Sequence, residues 1–363
     1  MRKAVLFPYH PDIHIIVDYK DDLIDWEIKG IVSFKEDDDV VSALNRTLGV
    51  ADMSYSQLLR ECDVVIVLDN YRSLKVEKYY QFIEDAINIQ KEIFVTPLAW
   101  TQLEMEKYKD YCQLLELMPD DMIAIDEEYE SRLGTINNKL YSIEIPIVGV
   151  IGQGKHCGKF ENQLLLKRTL EKDYATVTVS SNALGSLFGC YTMPPFLHGN
   201  IPFQEKILKF NYFIRKLSGI GKPDVVVLGI PEGMMTFNRH EFHHFAEYPL
   251  VVTKAVDIDM VILCLYFRTG NNLDYVFKEL SDYYQNKYDM LIGAISLSRT
   301  LPETMNEAYE GIVFEHLNDA FLCKYFPDLL SIGLPVINLL DREKAMAAIE
   351  VSLEQLQNNI DII

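Results

Sequence analysis

The chain has 363 residues, 49% of them hydrophobic and 24% charged, with 18 glycines and a formal net charge of −20. That composition excludes a disordered or collagenous chain and gives enough apolar material for two α/β-sized cores. The negative charge argues against non-specific binding to nucleic acid or to an acidic membrane, while leaving room for a local basic pocket.

Cysteines occur at 62, 112, 157, 190, 264 and 323, with no CxxC pair. Several lie inside apolar runs, as Cys264 does in Val261-Ile262-Leu263-Cys264-Leu265, and read as buried free thiols of a reducing compartment. Met1-Arg2-Lys3 is followed by four apolar residues, Ala4 to Phe7, before Pro8, too few for a secretory core, and no run approaches a membrane span. The expectation is a cytoplasmic protein that binds neither nucleic acid nor membrane, with a homo-oligomer compatible with it.

Short β-branched runs alternate with amphipathic stretches, the pattern of βαβ units and a mainly parallel sheet. In chain order, strands are expected near 3–7, 30–34, 62–68, 92–96 and 122–125, with helices near 51–61, 73–90 and 99–117. This first part, residues 1–125, resembles a Rossmann-like domain. However, the turn after its first strand is Phe7-Pro8-Tyr9-His10-Pro11, and two prolines without glycine cannot close around a pyrophosphate. The acidic run Lys35-Glu36-Asp37-Asp38-Asp39 reads as a solvated loop. Residues 126–145 are polar and weakly periodic and are read as a linker.

A second α/β block, 146–363, opens at Pro146-Ile147-Val148-Gly149-Val150-Ile151. Further strands are expected near 174–180, 223–230, 259–266, 291–297 and 334–338, and a final helix near 342–357 with Asp341 as its N-cap. The fold class is therefore α/β: a Rossmann-like N-terminal domain followed by a P-loop NTPase-like domain with a mainly parallel sheet.

The strongest signal is the run from Gly149 through Gly152, Gly154, Lys155, Cys157, Gly158 and Lys159 to Phe160, entered by an apolar strand and followed by a helical pattern. Glycines let backbone N–H groups converge on phosphate oxygens; the helix N-terminus and Lys159 supply positive charge. Two features depart from Walker A. Five residues rather than four separate Gly152 from Gly158, and Phe160 stands where Ser or Thr would hold Mg²⁺. A site that binds phosphate with slow or no hydrolysis follows.

Lys222 to Gly233 reads as a buried strand ending in a carboxylate, and Glu232 either holds a Mg²⁺-bound water, acts as a base, or caps the next turn. Ser181 and Asn182 close another strand in a polar loop that either contacts substrate or is a plain connection. Arg268 follows the 259–267 run and either meets an anionic ligand or belongs to a turn. His240-Glu241-Phe242-His243-His244 matches HExxH in form. It lacks a helical apolar pattern and a clear third ligand, so it reads as a His-rich loop over the ligand cleft rather than a zinc site.

The glycine loop with its Gly-Lys-Phe ending resembles that of a bacterial group pairing a Rossmann-like N-terminal domain with a P-loop C-terminal domain. Leu187-Phe188-Gly189, Met193-Pro194-Pro195-Phe196 and Gly229-Ile230-Pro231-Glu232-Gly233 resemble a narrower branch, the peptide maturation system proteins of ribosomal peptide natural-product clusters. The resemblance implies a cytosolic accessory protein working with a precursor peptide and a radical-SAM maturase. The broader group also resembles D-glutamate N-acetyltransferases that use acetyl-CoA, which implies a loop holding the phosphates of acyl-CoA. Three functional expectations stand: an ATP- or GTP-binding P-loop protein of peptide maturation, with Mg²⁺ where it hydrolyses; an acyl-CoA-dependent N-acyltransferase with Glu232 or the His240–His244 cluster as base; and a non-catalytic scaffold for the precursor peptide.

Overall fold

The computed structural model describes residues 1–50, 53–69, 76–120, 122–133, 139–234, 246–267, 273–304, 312–317, 319–325 and 333–360. The chain forms two units, one of Met1–Leu117 with Ala183–Thr192, the other of Met118–Asn182 with Met193–Ile363.

In the first unit, strands β1 (Arg2–Phe7), β2 (Trp26–Ile31), β3 (Val64–Val67), β4 (Glu92–Val95) and β5 (Cys112–Leu114) pair in parallel in the order β2-β1-β3-β4-β5. Helices α1 (Ile13–Asp18), α2 (Asp38–Thr47), α3 (Tyr55–Glu61), α4 (Val76–Asn88) and α5 (Pro97–Gln102) connect them. The interior strands β1, β3 and β4 are apolar from Ala4 to Phe7, Val64 to Val67 and Ile93 to Val95, as in parallel sheets whose faces are covered by helices. Helix α4 buries Tyr79, Phe82, Ile83 and Ala86, the i, i+3, i+4, i+7 stripe of an amphipathic helix. Phe82 stacks on Phe7 with ring centroids 3.9 Å apart. Helix α3 starts at a capping box: the Ser54 hydroxyl accepts from the Gln57 N–H, and the Gln57 side chain accepts from the Ser54 N–H.

Three sequence expectations fail here. β2 lies at 26–31 rather than 30–34. The stretch 99–117 is not one helix: α5 ends at Gln102, a short 3-10 turn spans Met105–Tyr108, and β5 follows. The apolar run at 122–125, read as a strand, opens helix α6 (Ile123–Leu133), so the first eight residues of the expected 126–145 linker are helical and lie in the second unit. A four-residue apolar run fits either state, and length is the arbiter: this one continues as an eleven-residue helix.

The second unit contains β6 (Ile147–Gly152), α7 (Lys159–Leu170) and β7 (Thr176–Ser180). The two-residue strand β8 (Tyr191–Thr192) belongs to the segment grouped with the first unit. There follow α8 (Phe203–Gly219), β9 (Val225–Gly229), α9 (Glu247–Ala255), β10 (Met260–Leu265), α10 (Leu273–Tyr288), β11 (Ile292–Leu297), the antiparallel pair β12 (Thr300–Thr304) and β13 (Ile312–His316), α11 (Asp319–Tyr325), β14 (Val336–Ile337) and α12 (Arg342–Ile360). The parallel sheet of this unit runs β14-β11-β10-β6-β9-β7. Every residue of β6, β9, β10 and β11 is buried. Asp341 caps α12 as its sequence suggests: its carboxylate accepts from the Lys344 N–H at 3.1 Å. The Lys344 ammonium and that N–H hold the carboxyl below the usual carboxylate range. The whole is an α/β protein with two mainly parallel sheets, the fold class expected. Among the described residues no helix is long and apolar enough to cross a membrane.

Candidate functional site

Central β6 delivers its carboxyl end between β9 and β10, where the glycine loop Gln153–Gly158 turns the chain into α7. The loop is tied to both neighbours. Gln153 N–H donates to the Cys264 carbonyl at 2.9 Å, and Met234 N–H donates to the Gly152 carbonyl at 3.0 Å. The Tyr266 hydroxyl donates to the Lys155 carbonyl at 2.6 Å. Gly158 caps α7 with φ +82°, a left-handed conformation that costs other residues steric energy and costs glycine none. Below the loop, the buried Gln163 amide donates to the Val179 carbonyl at 2.6 Å, fixing α7 to β7.

Lys159, the first residue of α7, turns back into the loop. Its ammonium donates to the Gly154 carbonyl at 2.6 Å and the Glu232 carbonyl at 2.7 Å. Neither acceptor is an anion, and among the described residues no carboxylate forms an ion pair with this ammonium. The buried Cys157 thiol donates to the same Gly154 carbonyl at 3.0 Å. Lys155 points differently: more than half exposed, it reaches Glu232 Oε1 at 3.3 Å. The other carboxylate oxygen, Oε2, is buried without a hydrogen-bond partner among the described residues. Buried carboxylate oxygens normally accept hydrogen bonds, so an orphan one marks a place where a donor is missing.

Glu232 lies in the segment Ile230–Met234 that folds across the loop, with φ +57°. Its charge reaches two phenols. Burial pushes the Tyr266 hydroxyl well above its ordinary value, and the nearby Cys157 and Glu232 add to this. Burial, then Glu247 and Glu232, push Tyr248 up to about 12. Tyr248, in the first turn of α9, packs edge-on against His198 with centroids 4.7 Å apart and lies beside an ion pair between buried Lys206 and half-buried Glu247 at 2.7 Å. Burial also pushes the Cys264 thiol up strongly; Cys157 adds to this and Lys159 opposes it.

Phe160, the residue in place of Ser or Thr, is 7% exposed and packs into the core. Phe160→Ser is expected to destabilise the fold by about 3–5 kcal/mol through the cavity it leaves, without creating Mg²⁺-dependent hydrolysis. Calorimetric unfolding and a phosphate-release assay check the two halves.

The structure thus brings Gly152, Gly154, Lys155, Cys157, Gly158, Lys159 and Glu232 into one cluster. Ser181 and Asn182 follow β7, one strand beyond β9 at the same edge of the sheet; the Asn182 N–H donates to the Ser180 hydroxyl at 3.1 Å. Leu187 and Phe188, beyond them, are buried residues of the first unit. Arg268 and the His240–His244 run lie outside the described residues. Sequence reading did not single out Tyr266, Tyr248, His198 or Lys206. A tyrosine directly after β10 was the one visible signal; the others come together only through helix packing.

The first unit has a polar cluster of its own at the carboxyl ends of β1, β3 and β4. Buried His10 lies 3.6 Å from both the Asp12 and Asp69 carboxylates, and Thr96 donates to Asp69 at 3.3 Å. The Asp12 N–H donates to His10 Nδ1 at 3.2 Å, so these groups are tied to one another as in a structural network.

No family model matches the sequence, and no curated protein matches it. Among solved structures, the chain resembles a crystal structure of a DUF1611 family protein from Anabaena variabilis. The TM-score is 0.60 with 10% identity, covering 98% of this chain and 100% of that one. At that identity the likeness is one of fold alone, a two-domain α/β architecture. A UDP-N-acetylmuramoyl-L-alanyl-D-glutamate–2,6-diaminopimelate ligase is similar over 72% of this chain and 53% of its own, at a TM-score of 0.19 and 11% identity, too low to carry an argument.

Proposed function

We propose that the glycine loop is a phosphate-binding loop and that the protein binds the phosphates of ATP or GTP there. The observation that supports this most directly is Lys159: a partly buried ammonium held by the Gly154 and Glu232 carbonyls, with no anionic partner among the described residues, at the N-terminus of a twelve-residue helix. A phosphate would supply the missing counter-charge and accept from the loop N–H groups. Glu232, beside the loop with an unpartnered carboxylate oxygen, is the group placed to accept a proton from a nucleophile or to hold a metal-bound water.

Phe160 favours a second reading. Its buried ring offers no oxygen to Mg²⁺, so a loop that holds the phosphates of acyl-CoA without cleaving them suits these residues as well. An N-acyltransferase needs only orientation of the thioester and a base, and Glu232 serves again. In either reading, the resemblance of Gly229–Gly233 and Met193–Phe196 to peptide maturation system proteins supports a role in maturing a ribosomally made peptide, beside a precursor peptide and a radical-SAM maturase. A scaffold for the precursor, with a loop that binds nothing, is the remaining outcome.

Thermal unfolding with ATP, GTP, CoA and acetyl-CoA, each with and without Mg²⁺, separates these. A ligand at 100 times its Kd stabilises by about 2.7 kcal/mol. A shift with ATP or GTP that requires Mg²⁺ supports the nucleotide reading, and a Mg²⁺-independent shift with acetyl-CoA supports acyl transfer. No shift with any ligand leaves the scaffold. Glu232→Gln is expected to remove turnover while preserving binding; unchanged turnover in that variant rejects the role given to Glu232.

A further inference from the structure

From Lys155 to Gly158 the φ angles alternate in sign. His156 has φ +54° and Gly158 φ +82°, while Lys155 and Cys157 keep ordinary negative values. Alternation of this kind gathers successive backbone N–H groups on one side of the chain, in a concavity that suits an anion, and turns carbonyls to the other. Glycine enters the left-handed region freely. Histidine does so at a steric cost, so its surroundings must hold it there.

The two ends of the loop are fixed separately. The Gln153 N–H is bonded to the Cys264 carbonyl of β10 at 2.9 Å, and the first turn of α7 is met from beyond β11 by Arg299, 3.7 Å from the Glu161 carboxylate. The middle is held by Tyr266, directly after β10, whose hydroxyl donates to the Lys155 carbonyl at 2.6 Å. A peptide group is planar and trans, so a carbonyl at 155 pinned toward the tyrosine turns the His156 N–H the opposite way. Burial holds the phenol far above its ordinary value, which keeps the hydroxyl a donor at physiological pH. Gly154 is fitted to the same contact. Its φ is not left-handed, yet a Cβ there would lie 2.2 Å from the Tyr266 hydroxyl oxygen and 3.0 Å from Cζ. Position 154 is therefore glycine because the tyrosine comes so close, not because the turn demands it.

Resting on the phosphate-loop reading above, we propose that Tyr266 is a positioning residue for the bound phosphate: by holding the Lys155 carbonyl it keeps His156 left-handed and the His156 N–H aimed into the loop. The tyrosine acts through the backbone and does not touch the ligand. With one residue more than a Walker A loop between its glycines, this loop has more chain to order when an anion binds. An anchor at its middle orders the N–H groups in advance and lowers that cost.

Isothermal titration of the full-length protein with inorganic pyrophosphate tests this in wild type, Tyr266→Phe, His156→Gly and the double variant. Tyr266→Phe keeps the ring against Gly154 and removes only the hydroxyl; it is expected to weaken binding about tenfold. Glycine at 156 adopts unaided the conformation that the hydroxyl enforces. In the Tyr266→Phe background it should recover about threefold or more of the loss, and gain less where Tyr266 is intact. Packing damage around the ring would not be repaired from position 156. Should Tyr266→Phe fail to fold in a circular-dichroism melt, His156→Val carries the comparison: a β-branched residue resists positive φ and should weaken pyrophosphate about tenfold. A Kd within about twofold of wild type in folded Tyr266→Phe or His156→Val, or an equal gain from glycine in both backgrounds, overturns the positioning role while the phosphate loop stands. Failure of pyrophosphate to bind wild type removes the phosphate loop, and this role with it.

Discussion

Gly233→Ala is expected to lower the stability of the second unit and to impair the glycine loop together. A methyl group at position 233 would lie 2.6 Å from the Gln153 carbonyl oxygen and 2.7 Å from the Gly154 Cα. Both are backbone atoms, so no side-chain rotation relieves the contact. The segment that follows β9 must therefore lift, and two features lift with it: the Met234 N–H bond to the Gly152 carbonyl and the Glu232 carbonyl that receives Lys159. Overpacking of this kind costs about 1–3 kcal/mol. At about 2–4 °C per kcal/mol for a unit of this size, the midpoint should fall by roughly 2–12 °C. Differential scanning calorimetry reads the first effect and titration with a phosphate ligand the second. A midpoint and an affinity both equal to wild type would show that the segment rides freely over the loop.

Lys159→Ala is expected to separate binding from folding. In the protein without ligand, the ammonium spends its hydrogen bonds on two carbonyls, one of which, that of Gly154, also accepts from the Cys157 thiol. With a phosphate present it would make charge-assisted bonds worth about 1.5–3 kcal/mol. Their loss corresponds to a weakening of about 10- to 150-fold, since each 1.4 kcal/mol is a factor of ten. Lys159→Arg should not restore it, because a planar guanidinium does not replace a compact ammonium between two carbonyls. Calorimetric titration alongside a melt checks this; unaltered affinity in Lys159→Ala would remove the charge from the binding account.

The buried strands were legible because parallel sheets covered on both faces write themselves as continuous apolar runs, and β3, β6, β9 and β10 are such runs. The glycine loop was legible for a related reason: its chemistry is made by backbone and by one lysine, all within the residues from Gly152 to Lys159. Asp341 could be read as a cap because capping is a contact over three residues. Errors gathered where a segment is short. β5 has three residues, and the run at 122–125 could be strand or helix until its continuation to Leu133 was known.

What the sequence determined by itself, then, was the α/β class, the strand–glycine–lysine–helix unit and the departure at Phe160, since each rests on local order along the chain. Tertiary structure alone decided that Glu232 faces Lys155 while its backbone carbonyl holds Lys159, that Tyr266 closes over the loop from β10, and that Arg299 joins the end of β11 to α7. These groups are separated by tens to more than a hundred residues. They meet because parallel strands bring all their carboxyl ends to one edge, whatever their distance along the chain.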